Sequence, residues 1–251
     1  MLEKNGLHVA AVSYDSQEAL RAFAGEHGIG YHLLSDRDSA VIRGFGIFNT
    51  NIAPGLRAHG VPHPVDYLVS PDGILVRKYF VPNYQHRVTG SAVVLREFGA
   101  VSEGAAAVNL QSGALRARIG LSGEKAFAGQ EVGFFAQFTL EPGWHVYGAP
   151  APRVFTAMSI VFDDPKIVRQ SLELPEAQPM EMLGETLPLY GGSFQGLGSL
   201  LLKFPIEAGR ILLQGSLRFQ ACSDSTCEAP ETIQFELPLT IEPFMVATSK
   251  K

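Results

Sequence analysis

The chain has 251 residues, of which 46% are hydrophobic and 18% charged, and its net charge is −5 at pH 7. This length predicts two domains, and the composition is typical of folded proteins. The weak negative charge and the absence of a basic run give no reason to expect a nucleic-acid partner. No apolar stretch approaches the ~20 residues that span a bilayer, and the N-terminus does not resemble a signal peptide.

Residues 1–98 alternate strand and helix signals. "LHVAAV" is a continuous apolar run, typical of a strand buried on both faces, and the Asp72-Gly73 pair predicts a tight hairpin turn. This alternation predicts an α/β sheet. The expected elements are a strand at 7–12, a helix capped by Asp15 and ending at Gly28, a strand at 31–34, a short helix at 38–45, a hairpin at 65–80 and a helix at 89–98.

From about residue 112 the helical period disappears. Strand-length segments such as "EVGFFAQFTLEPG" and "ETIQFELPLTIE" are separated by turns rich in Gly, Pro and Asp, which predicts an all-β sandwich over residues 113–243. Residues 99–112 are small and weakly patterned, so we expect a linker there. Residues 244–251 are expected to form a tail.

The only two cysteines, Cys222 and Cys227, flank the turn "SDST". A disulfide closing so short a loop adds only about 2 kcal/mol of stability, so a purely structural role is weakly motivated. The Cys-x4-Cys spacing is not a common zinc pattern, although His145, Met180 and Met182 are candidates for completing a copper(I) site with the two sulfurs. The residues alone therefore leave a structural disulfide, a copper site and a redox pair as alternatives.

Three segments of the second half occur in an order typical of one family. "EPGWHVYGAP", "MEMLGETLPLYGG" and "FQACSDSTCEAPETIQFELPL" resemble the N-terminal, immunoglobulin-like domain of the DsbD-type thiol:disulfide interchange proteins. This resemblance implies that Cys222 and Cys227 are a redox pair and that Cys227 forms a mixed disulfide with a thioredoxin-fold partner. It also implies a periplasmic or other extracytoplasmic location, and no cofactor or metal.

The same resemblance implies the residues around the sulfurs. Residues 180–184 would form a cap that excludes water and oxidants. Acidic neighbours, namely Asp224, Glu228 and Glu231, disfavour the thiolate and predict a pair that reacts mainly within a docked complex. The residues implied to line the site are Trp144, Tyr147, Glu181, Met182, Leu183, Tyr190 and Pro230.

The first half resembles the peroxiredoxin-like AhpC/TSA branch of the thioredoxin fold. The resemblance covers residues 5–80, through "VAAVSYDS", "HLLSD" and "PVDYLVSPDG", and it aligns Pro64 with the family's often cis proline. The family's first core strand and redox helix do not precede "LHVAAV", so we expect Met1 to be an internal start or the domain to be a remnant. Residues 1–98 contain no cysteine, and no peroxidase activity is expected from them.

These observations predict a two-domain thiol:disulfide oxidoreductase. An incomplete thioredoxin-like domain would precede an immunoglobulin-like sandwich that exchanges disulfides through Cys222 and Cys227. The expected partner is a thioredoxin-fold redox protein or domain. Two alternatives remain at this point: a non-enzymatic binding or scaffold module with a structural disulfide, and a copper-handling module.

Overall fold

The structure is a computed structural model that describes residues 2–56, 59–80, 86–182 and 185–244, except for the side chain of Met182. The chain divides into two compact units, residues 1–86 and residues 87–251. Within the described ranges, no helix is long and apolar enough to cross a membrane.

In its described residues the first unit begins with a short 3-10 helix, Glu3–Asn5. Two small sheets and two α-helices follow, in the order that the sequence predicts. A parallel pair is formed by strands β1 and β2, and a separate antiparallel hairpin by β3 and β4. The elements are β1 (Ala10–Ser13), α1 (Gln17–His27), β2 (His32–Ser35), α2 (Ala40–Gly44), β3 (Val65–Val69) and β4 (Leu75–Phe80).

Local hydrogen bonds define where these elements begin and end. The hydroxyl of Ser16, rather than the predicted Asp15, caps α1 by accepting from the backbone N–H of Ala19 at 3.2 Å. Gly28 ends the helix with φ 61°, a left-handed conformation that favours glycine. Gly73 has φ 79° in the turn between β3 and β4, as the Asp-Gly pair predicts.

Two features of this unit differ from the expectations. The strand predicted to be buried on both faces is accessible, with Val12 41% exposed, because β1 pairs only with β2 among the described residues. The peptide bond before Pro64 is trans, since the cis bonds of the described chain precede Pro150 and Pro205. Trans is also the intrinsically favoured isomer, by about 0.5–1 kcal/mol.

The second unit is built almost entirely from strands, with one helix near its start. Its elements are β5 (Arg87–Val88), α3 (Gly90–Phe98), β6 (Ala107–Ser112), β7 (Leu115–Leu121), β8 (Lys125–Ala126), β9 (Gln130–Leu140), β10 (Trp144–Tyr147), β11 (Ser159–Val161), β12 (Ile167–Glu173), β13 (Gln178–Met182), β14 (Glu185–Gly191), β15 (Ser193–Leu202), β16 (Gly209–Phe219), β17 (Ala221–Ser223) and β18 (Glu231–Ile241).

Two sheets of this unit enclose one hydrophobic core. The larger has the strand order β12-β15-β9-β7-β6, with β5 also paired to β9, and the smaller has the order β11-β16-β18-β8. Phe134 of β9 and Phe235 of β18 both contact the ring of Phe162, with centroids 5.1 and 5.5 Å away. The interior is drawn from the alternate, inward-facing residues of both sheets. The predicted all-β sandwich is therefore confirmed.

A third sheet, with the order β13-β14-β10-β17, carries the cysteine region. Strand β10 lies between β14 and β17 and is antiparallel to both. Val146 of β10 belongs to the sandwich core, whereas Tyr147 belongs to a separate small cluster that includes Cys222. This sheet thus joins the core on one face and the cysteines on the other.

The boundary between the units lies earlier in the chain than the sequence predicts. Helix α3 packs on β9 of the sandwich: a Cβ atom on Gly133 would lie 3.1 Å from the Cα of Ala92 and 3.2 Å from a methyl carbon of Leu95. The predicted linker also contains β6, which pairs with β7 at the edge of the larger sheet. Val108 and Leu110 of β6 pack against the core, so this segment is part of the sandwich.

We predict that Leu95→Ala destabilises the second unit by about 2–5 kcal/mol, because the buried side chain leaves a cavity between α3 and β9. The exposed neighbour Arg96 provides the control, since Arg96→Ala should change stability by no more than about 0.5 kcal/mol. Urea unfolding followed by the fluorescence of Trp144, the single tryptophan, measures both. Equal stability of the two variants would contradict the placement of α3 on the sandwich.

Candidate functional site

The centre of the site is a disulfide between Cys222 and Cys227, whose Cα atoms are 4.1 Å apart. Cys222 lies in β17, and Cys227 pairs with it through an isolated bridge across the predicted turn. Ser223 organises this turn: its backbone N–H donates to the carbonyl of Thr226 at 2.7 Å, and its hydroxyl accepts from the N–H of Thr226 at 3.3 Å. The turn therefore presents both sulfurs from a fixed hairpin.

The two cysteines differ sharply in exposure. Cys222 is fully buried, at 0% exposure, whereas Cys227 is exposed. An attacking thiolate has to approach one sulfur in line with the disulfide bond. Cys227 is therefore the accessible residue of the pair, and the sulfur of Cys222 is the one that would leave into the protein interior.

Tyr147 contacts both sulfurs. Its hydroxyl donates a hydrogen bond to Cys222 Sγ at 3.3 Å and lies 3.8 Å from Cys227 Sγ. Burial raises the pKa of this phenol above its usual 10.0, so the hydroxyl keeps its proton at neutral pH. Tyr147 therefore supplies a permanent donor to the sulfur that would become a buried thiolate.

Several side chains that sequence reasoning did not assign to the site hold this arrangement. Phe155 stacks on Tyr147, with ring centroids 4.3 Å apart, and Leu187 and Leu189 of β14 complete the apolar cluster around Cys222. The buried amide of Gln220 donates to the carbonyl of Glu228 at 3.0 Å, and this bond connects the two ends of the cysteine hairpin. The same amide accepts from the backbone N–H of Thr156.

Two aromatic residues that were expected to line the site lie on its other face. Trp144 is opposite Ser223 in the register and packs against the sandwich core. Tyr190 is opposite Val146, belongs to the same core, and donates its hydroxyl to the carbonyl of Pro175 at 2.9 Å. Alternate residues of a strand point to opposite faces, so these rings support the sheet from behind while Tyr147 faces the sulfurs.

The predicted cap is a hairpin of β13 and β14, and its residues divide between two faces. Glu181 lies opposite Thr186 and accepts a hydrogen bond from its hydroxyl at 2.5 Å. Leu187, on the face that packs near Cys222, is instead opposite Met180. Glu181 is therefore not on the cysteine face, contrary to the expectation.

The remaining expected residues are placed as follows. Pro230 is exposed and precedes β18. Met182 is the last residue of β13, but its side chain is outside the described part of the structure, as is the whole of Leu183.

The acidic residues near the cysteines have separate roles. The carboxylate of Glu231 accepts a hydrogen bond from Ser112, and a Cβ atom on the neighbouring Gly113 would lie 2.7 Å from Glu228 Oε2. Both glutamates thus lie against the turn between β6 and β7. Asp224 is the acid whose charge acts on the imidazole of His145.

His145 is the main site residue that sequence reasoning placed only in a hypothetical copper site. It lies directly opposite Cys222 in the β10–β17 register, and its ring meets that of Tyr147 edge-on at 5.8 Å. Its side chain is 4% exposed, and within the described ranges its Nε2 is the one buried side-chain nitrogen or oxygen without a hydrogen-bond partner. A buried polar atom without a hydrogen bond lowers the stability of the folded protein by about 1–3 kcal/mol.

The environment of His145 sets its charge. Burial lowers its pKa below the usual 6.5, and the nearby carboxylate of Asp224 partly opposes that shift. The imidazole is therefore neutral at pH 7. No group of three or more His, Cys, Asp or Glu side chains suited to a metal ion occurs among the residues described.

Comparisons with protein families match the two halves of the chain separately. Residues 120–239 match the family described as "Thiol:disulfide interchange protein DsbD, N-terminal", and residues 1–78 match the AhpC/TSA family. Both resemblances found in the sequence, and the two-part fold class, are confirmed.

Individual relatives match shorter parts. "Peroxiredoxin Bcp" of Escherichia coli is 33% identical over 72 residues, which cover 29% of this chain and 46% of that protein. The chain thus spans less than half the length of this curated relative.

Two solved structures share elements with the chain. The N-terminal periplasmic domain of ScsB from Proteus mirabilis gives a TM-score of 0.40 at 16% identity, over 53% of this chain and 50% of that one. The N-terminal domain of Neisseria meningitidis DsbD in the reduced form gives a TM-score of 0.30 at 13% identity, over 43% of this chain and 78% of that one.

We predict that Tyr147→Phe raises the pKa of the Cys222 thiol, because the hydrogen bond that the phenol donates to the thiolate is lost. In a Cys227→Ser background Cys222 is the only thiol, and ultraviolet absorbance of the thiolate reports its titration. Tyr190→Phe, which removes the matching hydroxyl on the other face, should leave the titration unchanged. The same pKa in both variants would contradict the role assigned to Tyr147.

We predict that His145→Phe removes part of the loss of stability on acidification. Because the pKa of His145 is lowered in the folded protein, the unfolded chain takes up this proton first as the pH falls. The stability that the neutral imidazole of His145 contributes is fully present above about pH 6.5. Below that pH it is lost, by up to about 1.4 kcal/mol per pH unit.

Urea unfolding from pH 7.5 to 5 tests this, with His32→Phe on the exposed strand β2 as the control that should keep the wild-type slope. If the free energy of unfolding of His145→Phe depends on pH as steeply as that of the wild type, the imidazole is not held neutral.

Proposed function

We propose that the second unit exchanges disulfides with a thioredoxin-fold partner through Cys222 and Cys227. The observation that carries this proposal is the asymmetry of the pair: an exposed Cys227 bonded to a fully buried Cys222. The match of residues 120–239 to the DsbD N-terminal family supports the same chemistry.

The exchange follows from the positions of the two sulfurs. A thiolate of the partner attacks Cys227 Sγ, a bond forms between the two proteins, and the bond to Cys222 breaks with its electron pair passing to Cys222 Sγ. Tyr147 donates its hydrogen bond to this leaving sulfur. A second partner thiol then attacks the mixed disulfide and releases reduced Cys227, so two electrons enter the pair. In the reverse direction Cys222 resolves the mixed disulfide and the partner leaves reduced.

The energetics argue against a purely structural disulfide. The closed loop is short, since the cysteines are five residues apart, and its loss costs only about 2 kcal/mol in the loop-entropy model. Cys222 belongs to a small cluster that is separate from the main core of the sandwich. The core therefore does not depend on the disulfide, and the unit should remain folded when the pair is reduced.

The location and the partner follow from this chemistry. The family resemblance favours the periplasm or another extracytoplasmic space, where disulfides form and persist. Asp224 is exposed next to the cysteine hairpin, which favours a partner whose surface around its own cysteine is not acidic.

We predict that Cys222→Ser accumulates a mixed disulfide through Cys227 with a thioredoxin-fold protein, because no resolving thiol remains in this chain. The matched variant Cys227→Ser should form little of this complex, because its remaining thiol is buried. Each reduced variant is mixed with a thioredoxin that lacks its own resolving cysteine and whose remaining cysteine carries thionitrobenzoate as a mixed disulfide, so that attack by Cys227 releases thionitrobenzoate and joins the two proteins. Non-reducing electrophoresis then measures the difference.

Two outcomes would contradict the proposed function. One is equal trapping by the two variants. The other is an oxidised wild-type pair that reduced thioredoxin does not open, combined with unfolding of the second unit when strong chemical reductants break the disulfide. The second outcome would identify the cysteines as a structural disulfide of a binding or scaffold module.

A further inference from the structure

His145, whose Nε2 has no hydrogen-bond partner, lies opposite the cysteine that the exchange reaction would release as a thiol. In the β10–β17 register His145 is directly opposite Cys222, and directly opposite residues of antiparallel strands share a face. Tyr147, two residues along β10, points to the same face and already contacts Cys222 Sγ. The imidazole, the phenol and the buried sulfur are thus grouped on one side of the sheet.

In the oxidised protein Nε2 of His145 has no hydrogen-bond partner, the two sulfurs included. A disulfide sulfur carries no proton that it could donate to Nε2, and the residue opposite His145 on its other flank is Gly191, which has no side chain. Reduction changes this, because Cys222 then becomes a buried S–H donor that needs an acceptor. Tyr147 cannot meet the same need while its own hydroxyl donates to the sulfur. The free Nε2 of His145 is the acceptor on the same face.

We infer that His145 accepts the proton of the Cys222 thiol when Cys222 resolves a mixed disulfide held on Cys227. This inference rests on the proposed exchange function and assigns a residue to one of its steps. The Cys222 S–H bond breaks and its proton moves to Nε2. The thiolate attacks Cys227 Sγ, the Cys222–Cys227 bond forms, and the bond between Cys227 and the partner breaks with its electron pair on the partner sulfur. The partner leaves as a reduced thiolate, and the imidazolium releases its proton to solvent.

The charges around the imidazole suit a proton acceptor. Burial keeps the ring neutral before the step but also disfavours the imidazolium that the step forms, and the Asp224 carboxylate offsets part of that cost. The carboxylate of Asp224, which follows β17, attracts the imidazolium formed by the step. Among the described residues, the titratable groups next to His145 on this face are Tyr147 of the same strand and the two cysteines. In β14 the residue opposite His145 is Gly191, and Glu185 lies on the same face at the far end of that strand.

The test uses reduced full-length protein and a small disulfide, dithiobis(nitrobenzoate), as the probe. Cys227 attacks the probe first and releases one coloured thiolate at a rate proportional to the probe concentration. Cys222 then attacks the mixed disulfide and releases the second thiolate at a rate independent of that concentration. Stopped-flow absorbance separates the two steps, and only the second requires a proton to leave Cys222.

We expect His145→Phe to slow the second step roughly ten- to a hundred-fold at pH 7, at the lower end of general-base effects, and to leave the first step unchanged. The pH profile should also change. In the wild type the second rate levels off above the pKa of the imidazole, whereas in the variant it keeps rising about tenfold per pH unit up to the pKa of the thiol. Trp144→Phe, on the same strand but facing the core, should show the wild-type profile.

The wild-type rate and pH profile in His145→Phe would overturn the inference. If that variant does not fold, the ¹⁵N resonance of His145 Nε2 in wild-type protein decides: it should shift on reduction to a hydrogen-bonded value, and an unchanged resonance would also overturn the inference. The probe requires no protein partner. Failure of thioredoxin to reduce or trap Cys227 would therefore count against the proposed function alone, while the two-step release still reports on His145.

Discussion

The antiparallel pairing of β10 with β17 is the constraint on which the cysteine site depends. It sets His145 opposite Cys222 and Val146 opposite Ala221. Because side chains alternate along a strand, Val146 of β10 packs in the sandwich core, whereas Tyr147 of the same strand packs against Cys222. A register slip by one residue would exchange these faces and place the phenol in the core. The large core thus fixes the geometry of a small reactive cluster outside it.

This arrangement separates stability from chemistry. The sandwich core consists of residues from the two larger sheets together with Val146, Tyr190 and Ala221 of the third, whereas the cysteine cluster contains four buried residues. If the pair exchanges disulfides as proposed, we expect the fold to survive the change in its covalent state. The buried position of Cys222 protects one sulfur from solvent, and the exposed position of Cys227 leaves the other available to a partner.

Much of this could be predicted from the sequence, because the informative signals are local. The Gly, Pro and Asp turns of the second half separate strand-length segments, and the only two cysteines flank one turn. The sequence also predicts that Trp144 and Tyr147 lie on opposite faces of one strand, because they are three residues apart. Assigning both from a motif overlooked this alternation.

Other features depend on contacts between distant segments and are not encoded locally. The face of Tyr190 follows from its register with Val146, which its own sequence neighbourhood does not contain. The helix α3 is amphipathic whichever unit it joins, and only its contact with Gly133 assigns it to the sandwich. The unpartnered nitrogen of His145 follows from the glycine opposite it, a pairing that no spacing rule predicts.

The central claim is that the Cys222–Cys227 bond is made and broken in function, and its reduction potential tests that claim most directly. Equilibration of the full chain with mixtures of reduced and oxidised thioredoxin or glutathione, followed by quantification of free thiols, gives this value. An exchanging pair should have a potential above about −300 mV, within reach of thioredoxin-fold partners. A potential below about −300 mV would place the bond among structural disulfides and contradict the account.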